Sequence, residues 1–464
     1  MDLVGIIGSG IDALAALVFA KTAILGVEIE LIVLWLAVPM LFFTAWLGFP
    51  NLRALGIALR DLRETRREKT APGAVSQWAA LTTALSGTVG LGNIAGVAVA
   101  LTVGGPGAAF WMFVIGWFAM TLKCAEVTLG LRFREVAEDG AIRGGPMYSL
   151  KNGLALKGWP RLGLVLGGLY ALFAIISALL SLQVNQSFAQ VSAVTGFDNG
   201  LAYGIGMAFL VALVVLGGVR WLGQVTSWLV PMMALIYLGG IFAILGTNLA
   251  ASPGAVATLV GDAFTGEAAA GGALGAFVVG MRRAVFSSEA GIGSAVIAHA
   301  QARTRVPASE GMVALLEPFI DTVVICSLTA LAVVVAGTYD DGLEGVAITS
   351  AAFGQVAGWF PLVLAVAVFL FAYSTLCSWG LYGLQSWGYL FGHGRVSATL
   401  FKLLYIGVLP LSAILDLAQV VDLVDSAFFL MAIPNVIALY VFAPDLKREI
   451  NAYIADRRKG KAQQ

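Results

Sequence analysis

Two short stretches of this 464-residue chain hold the residues most able to do chemistry. Ser86-Gly87-Thr88-Val89-Gly90-Leu91-Gly92-Asn93 and Ser287-Ser288-Glu289-Ala290-Gly291-Ile292-Gly293-Ser294 share the pattern Ser-x-[Thr/Glu]-[Val/Ala]-Gly-[Leu/Ile]-Gly-[Asn/Ser]. Each lies inside an apolar run long enough to be a membrane helix, and each places paired glycines where that helix would have to continue. In hydrocarbon an unpaired backbone N–H or C=O costs several kcal/mol, so irregular backbone survives only where protein, water or a ligand satisfies it. Two broken helices at corresponding points therefore make a binding site near the membrane midplane. Half-helix amino ends offer N–H groups and positive dipole to a carboxylate, while unwound carbonyls and half-helix carboxyl ends coordinate a cation.

The elements that must hold these breaks follow from composition. The chain is 59% hydrophobic and 12% charged, with mean hydropathy +0.90, where a soluble domain carries about 25% charged residues. Its apolar runs are long enough to cross about 30 Å of hydrocarbon, which excludes a soluble multidomain reading. About eleven spans are expected, at 29–48, 77–103, 107–132, 162–193, 201–218, 223–246, 272–299, 309–337, 353–391, 397–415 and 419–443. The ninth is too long for one straight crossing and is expected to extend beyond the bilayer or to bend near Gly380 or Gly383. The opening segment lacks the basic region of a cleavable signal and reads as a short interfacial or re-entrant amphipathic helix. Cys124, Cys326 and Cys377 lie in apolar segments without metal-ligand spacing and read as small core residues.

A net charge of zero hides a strong asymmetry. The loop after the first span carries Arg53, Arg60, Arg63, Arg66, Arg67 and Lys69, and alternate connections agree with it up to the tail "DLKREINAYIADRRKGK". The opposite connections, such as "GTYDDGLEG", hold acids and no Lys or Arg. The positive-inside bias then puts the amino terminus outside and the carboxyl terminus in the cytoplasm. No nucleic-acid partner is expected.

Five crossings separate the two glycine stretches, an odd number, so the second runs through the bilayer in the opposite sense. The expected fold is all-α and polytopic, a five-plus-five inverted repeat with one extra amino-terminal helix and discontinuous helices at 77–103 and 272–299. The layout is 1–76 (amphipathic segment, extra helix, basic loop), 77–246 (first repeat), 247–443 (extracellular loop and second repeat) and 444–464 (basic tail). Gly-Leu-Gly-Asn-Ile-Ala-Gly is not a dinucleotide loop, since no strand precedes it and its spacing is wrong. Gly92 and Gly96 could equally form a small-residue helix-packing face, which is compatible with a break just before it.

Seven motifs, "TVGLGNIAGVAVALTVGGPGAAFWMF", "KCAEVTLGLRFRE", "GGPMYSL", "LQVNQSFA", "RRAVFSSEAGIGS", "FLFAYSTLCSWGLYG" and "AIPNVIALY", together resemble the alanine or glycine:cation symporter family, the sodium:alanine symporters of prokaryotes. The resemblance runs from roughly residue 50 to 445 in the family's order. It implies the leucine-transporter type of fold, alternating access, and a multi-pass protein of the cell inner membrane co-transporting Na⁺ with a small neutral amino acid, alanine or glycine. The chain departs from the family pattern at Leu91, where Thr is usual, and at Ser288, where Asn is usual.

On this reading the substrate site comprises Thr88, Val89, Gly90, Gly92 and Asn93 of the first break, Ser287, Ser288 and Gly291 of the second, Gln183, and Thr375 and Trp379. Gln183, Asn185 and Gln186 could instead form interhelical hydrogen bonds. Thr375 and Trp379 lie four apart on one helix face, and Trp379 would cap a small side chain. A Na⁺ site would use Leu85, Thr88 and Val89 with Ser374, Thr375 and Ser378, oxygen ligands suited to a hard cation. Glu289 and Arg283 are expected in coupling or gating. Lys123 and Glu126, three apart inside one span, are expected to neutralise each other. His299 and His393 are expected near the cytoplasmic ends, with no proton relay. Proton coupling through Glu289 and Glu126 is the alternative within transport. A membrane enzyme lacks a dyad or metal cluster here, and a channel would need a continuous pore.

Overall fold

The computed structural model describes residues 3–24, 27–64, 70–179, 183–265, 272–413 and 418–462. Arg66, Arg67 and Lys69 of the basic loop lie outside them. Among the described residues the regular structure is helical apart from two short hairpins, one of which pairs β1 (Lys21–Ile24) with β2 (Val27–Glu30). Helices used below are α1 (Leu3–Val18), α2 (Leu31–Trp46), α3 (Leu55–Glu64), α4 (Gln77–Thr88), α5 (Ala95–Gly104), α6 (Pro106–Arg132), α7 (Pro160–Leu179), α8 (Gln183–Thr195), α9 (Gly200–Val215) and α10 (Gly218–Thr247). They continue with α11 (Ser252–Thr265), α12 (Gly272–Ser288), α13 (Ala295–His299), α14 (Pro307–Ala314), α15 (Ser327–Ala336), α16 (Val346–Gly354), α17 (Pro361–Phe391), α18 (Arg395–Ser412), α19 (Ala418–Leu430), α20 (Ala432–Val441) and α21 (Ala443–Ala462).

Among the described residues seven helices are long and apolar enough to cross a bilayer, or eight when the bent pair of the first break counts as one span. Gln77–Thr88 and Leu91–Gly104 meet at 61°. The apolar helices α2 and α9 are shorter, 16 residues each. The expected span 272–299 consists of α12, an irregular stretch and the five-residue α13. The expected span 353–391 divides into α16 and the 31-residue α17, which runs unbroken through Gly380 and Gly383. Pro361 at the first position of α17 explains the division, since proline starts a helix well and cannot continue one.

The expected span 309–337 is also irregular. Pro318 has no N–H to give to the preceding turn, and the backbone answers with a π-helical stretch, Phe319–Cys326, before α15 begins. Such wide turns cluster at functional sites.

One continuous apolar core joins most of the helices, with α6, α12 and α17 running through it. Small residues let backbones approach where lipid gives no hydrophobic drive between helices. A methyl at Gly280 of α12 would sit 2.3 Å from the Ala108 carbonyl of α6. The outer surface is studded with exposed apolar side chains such as Leu213, Trp228 and Leu235. The basic tail forms α21 and docks on α3. There Asp61, itself 2% exposed, accepts from Tyr453 Oη at 2.8 Å and from Arg457 Nε at 2.9 Å.

Candidate functional site: a cavity between two broken helices

Helix α4 starts at a serine cap, Ser76 Oγ accepting the Ala79 N–H at 3.1 Å, and runs to Thr88. Val89 and Gly90 are extended, a single tight turn spans Leu91–Asn93, and α5 resumes at Ala95. Asn93 closes this break: its Oδ1 accepts the Gly90 N–H at 2.9 Å. Its Nδ2 donates to Ser287 Oγ at 3.2 Å, to the Asp321 carbonyl at 3.2 Å and to Asp321 Oδ1. One amide thus ties the first break to the last turn of α12 and to the π-helical stretch.

The second break begins with Glu289 in left-handed conformation, φ +49°, followed by Gly291 at +91° and Gly293 at +84°. A methyl at Gly291 would lie 2.3 Å from Leu36 Cδ2, so both conformation and space require glycine there. The Gly291 N–H donates to Glu126 Oε1, and its carbonyl accepts from Asn435 Nδ2 at 2.9 Å. The Ser294 hydroxyl donates to Glu289 Oε2. The backbone polar groups at Gly291 are thus satisfied by side chains of α6 and α20.

This overturns the expected neutralisation of Lys123 by Glu126. Lys123 Nζ lies 3.4 Å from Glu317 Oε1, both side chains fully buried, while Glu126 caps the break. Both residues point from one face of α6, but the second break supplies N–H donors for Glu126 and the turn after α14 supplies a carboxylate for Lys123. Glu317 Oε2 also lies 3.4 Å from His299 Nε2, and His299 Nδ1 is 2.6 Å from Glu310 Oε1. A buried chain Glu310–His299–Glu317–Lys123 results, where no relay was expected, and it secures α13 to α14 and α6.

A cavity of about 460 Å³ opens between the breaks. Of the expected substrate residues, Thr88, Gly90, Gly92, Gln183, Thr375 and Trp379 line it, together with Glu289 and Arg283. Gln183 Oε1 and Thr375 Oγ1 are buried and have no hydrogen-bond partner among the described residues. Both converge on Gly90, whose missing Cβ would sit 3.2 Å from Thr375 Oγ1 and 3.8 Å from Gln183 Oε1. Trp379 packs edge-on to Tyr382, centroids 5.4 Å apart, and tilted against Phe428 at 6.1 Å, so one wall is aromatic.

Val89, Asn93, Ser287, Ser288 and Gly291 do not line the cavity. Ser287 Oγ donates to Asp321 Oδ2 at 2.7 Å and Ser288 Oγ accepts the Ala290 N–H at 3.4 Å, so these groups brace the breaks from behind. Of the expected cation ligands, Thr88 and Thr375 line the cavity, and the others are engaged as follows. Ser378 Oγ donates to the Thr83 carbonyl at 2.8 Å and meets Ser86 Oγ, one turn before the break. Ser374 Oγ donates to the Phe371 carbonyl at 3.0 Å and lies 3.4 Å from Met233 Sδ. The Leu85 carbonyl already accepts the Val89 N–H at 2.7 Å and the Thr88 hydroxyl at 3.4 Å.

Arg282, next to Arg283, does not line the cavity and has Nη1 2.8 Å from Glu30 Oε1. Arg283 and Asp425 line the cavity but form no ion pair within 4.0 Å. The sequence reading missed Asp321, Asp425, Tyr382 and Phe428. For Asp321 a signal existed, a carboxylate inside an apolar span; for Phe428 there was none. The cavity reaches Gly345 in the acidic loop before α16. Near the other end of α4, Arg134 ties the chain segments together, its guanidinium donating to the carbonyls of Ala300 and Ala302 at 2.7 Å, Pro72 at 2.9 Å and Thr304 at 2.5 Å.

A multi-pass bundle with a buried, substrate-sized cavity at two helix breaks is the architecture of a membrane transporter, and known proteins share the fold. The crystal structure of MhsT in complex with L-phenylalanine superposes with TM-score 0.56 and 16% identity over 82% of this chain and 99% of that one. The model of the sodium:alanine symporter family matches residues 13–464. The sodium/alanine symporter AgcS of Methanococcus maripaludis is 35% identical over 421 residues, 89% of this chain and 92% of AgcS. The probable sodium/glutamine symporter GlnT of Bacillus subtilis is 32% identical over 429 residues, 91% and 87% of the two chains. The chain belongs to the sodium:alanine symporter family, and is a transporter, not an enzyme.

Proposed function

We propose that this protein couples inward movement of Na⁺ to uptake of a small neutral amino acid, alanine or glycine, by alternating access. The observation that carries this reading is the convergence of Thr375 Oγ1 and Gln183 Oε1, both buried and without partners among the described residues, on the unwound backbone at Gly90. A ligand with donors satisfies both oxygens, and an ammonium group is the natural one. Aromatic Trp379 bounds the space for the side chain, and Thr88, Gly90 and Gly92 give the backbone contacts. Na⁺ takes the Thr88 and Thr375 hydroxyls with carbonyls of the first break. The carbonyls of Leu85 and Val89 and the hydroxyls of Ser374 and Ser378 complete that set, since a carbonyl or a proton-donating hydroxyl still has a lone pair for a cation.

The same reading assigns a five-plus-five inverted repeat, 77–246 and 247–443, preceded by one extra helix, with eleven spans in the prokaryotic inner membrane. The amino terminus is outside. The cavity then opens outward past Arg283 and Asp425, and the Arg134 clamp closes the cytoplasmic side. Arg283 and Asp425 approach to form the outer gate when substrate is bound, with Glu289 between them and the site.

The test is uptake of labelled alanine, glycine and glutamine by reconstituted vesicles under an inward Na⁺ gradient, repeated for Thr375→Ala and Trp379→Ala. Sodium-dependent accumulation that Thr375→Ala abolishes is expected. Equal accumulation without the gradient refutes the coupling, and unaltered transport in both variants moves the site elsewhere. Proton coupling stays as a second reading because the Glu289 carboxylate lines the cavity. It requires uptake to follow an imposed pH gradient with Na⁺ absent.

A further inference from the structure

On the outer surface of the bundle a recess of about 1350 Å³ runs along the first half of α10, remote from the breaks. Its inner side is closed where α10 meets α4: a methyl at Gly223 would lie 3.0 Å from Val75 Cγ1 and 3.3 Å from Ala79 Cβ. Trp228, Met232 and Leu235 form its outer rim, 84%, 46% and 72% exposed. The recess is apolar along the helix and ends at two guanidinium groups, Arg220 in the first turn of α10 and Arg303 in the segment after α13. Neither side chain has an ion-pair or hydrogen-bond partner among the described residues, whereas neighbouring Arg134 donates to four carbonyls at the same end. Arg220 also lies at the positive end of a 30-residue helix, so the helix dipole does not compensate it.

We propose that this recess binds one anionic phospholipid, its acyl chain along α10 and its phosphate between Arg220 and Arg303. An apolar channel that faces the bilayer and ends in two unpaired cations is complementary to an amphiphile with a negative head. Basic pockets of this kind between membrane helices hold anionic headgroups. A zwitterionic lipid would bring its own cation to the two arginines, and free phosphate would leave the channel unused. Exposed Trp221 stands next to Arg220 at the basic end, the kind of amphipathic ring that favours a membrane interface. The site bears on the first broken helix, because Thr226 of α10 is hydrogen-bonded to Thr83 of α4 at 2.9 Å.

The test is native mass spectrometry of the purified full chain in detergent, titrated separately with short-chain phosphatidylglycerol, short-chain phosphatidylcholine and inorganic phosphate. One phosphatidylglycerol per chain is expected. Arg220→Ala/Arg303→Ala should weaken it about 30-fold, two charges at about 1 kcal/mol each, and Arg220→Lys/Arg303→Lys should keep most of the binding. Arg220→Gln alone, at an exposed position, gives the same comparison should the double variant not fold. Undiminished phosphatidylglycerol binding by the charge-removing variants overturns the proposal. So does equal retention of phosphatidylcholine, which would mean an apolar groove only, or binding of phosphate as tight as the lipid, which would mean a simple anion site.

Discussion

Asn93→Ala is the most searching perturbation, because one amide holds the two breaks together. The substitution removes the acceptor of the Gly90 N–H and the donors to Ser287 Oγ and Asp321. A buried N–H left without an acceptor costs about 1–3 kcal/mol, and each interhelical hydrogen bond lost inside a membrane protein adds about 0.6–1 kcal/mol. The sum is about 3 kcal/mol, on the order of a 100-fold shift away from the arrangement that forms the cavity. On the proposed function, sodium-driven alanine uptake at low substrate should fall by a similar factor, and the melting temperature in detergent should fall with it. Asn93→Asp keeps the acceptor for Gly90 but sets a second carboxylate against Asp321, so it should transport no better than the alanine variant. Wild-type uptake and melting by Asn93→Ala would refute the reasoning, since the breaks would then be held without that amide.

Three further outcomes are expected. Gly90→Ala should raise KM with little change in melting temperature: φ is −149°, which alanine adopts freely, while the methyl enters the space 3.2 Å from Thr375 Oγ1. Lys123→Met should cost up to about 3 kcal/mol, because the buried Glu317 carboxylate then keeps only His299, which it shares with Glu310, and adding Glu317→Gln should recover part of it; additive losses in a denaturation series would contradict the ion contact. Asp61→Asn should loosen α21, since Arg457 keeps only Glu64, 2.8 Å away, as a carboxylate partner and Tyr453 loses its ionic acceptor; limited proteolysis should then cut the tail faster, and an unchanged cleavage rate would show that the remaining contacts of α21, among them Arg457–Glu64 and Lys157–Asp445, hold it without Asp61.

Much of the site was legible because glycine is a backbone signal. Gly90, Gly92, Gly291 and Gly293 interrupt apolar runs, and irregular backbone in a bilayer demands partners, so both breaks stand in the sequence. Gln183 and Thr375 could be named because the motifs that contain them resemble the family's, and both line the cavity. The partners of charged residues were not legible. Lys123 and Glu126 share a helix face, yet each is claimed by a different neighbour, Glu317 and the Gly291 N–H. Likewise Ser287 lies within the motif but turns toward Asp321 and not toward the cavity.

What the sequence determined by itself is the membrane class, the positions of the two breaks and the family, because hydropathy, glycine placement and linked motifs are local along the chain. What only the tertiary structure decided is which polar groups meet. The Asn93–Ser287–Asp321 tie, the chain from Glu310 to Lys123, the convergence of the Gln183 and Thr375 oxygens on Gly90 and the bonds of Arg134 to four carbonyls each bring together segments far apart in sequence. A buried polar atom takes whichever partner packing brings within about 3 Å. That choice depends on helix rotation and depth, which a pattern of residues does not specify.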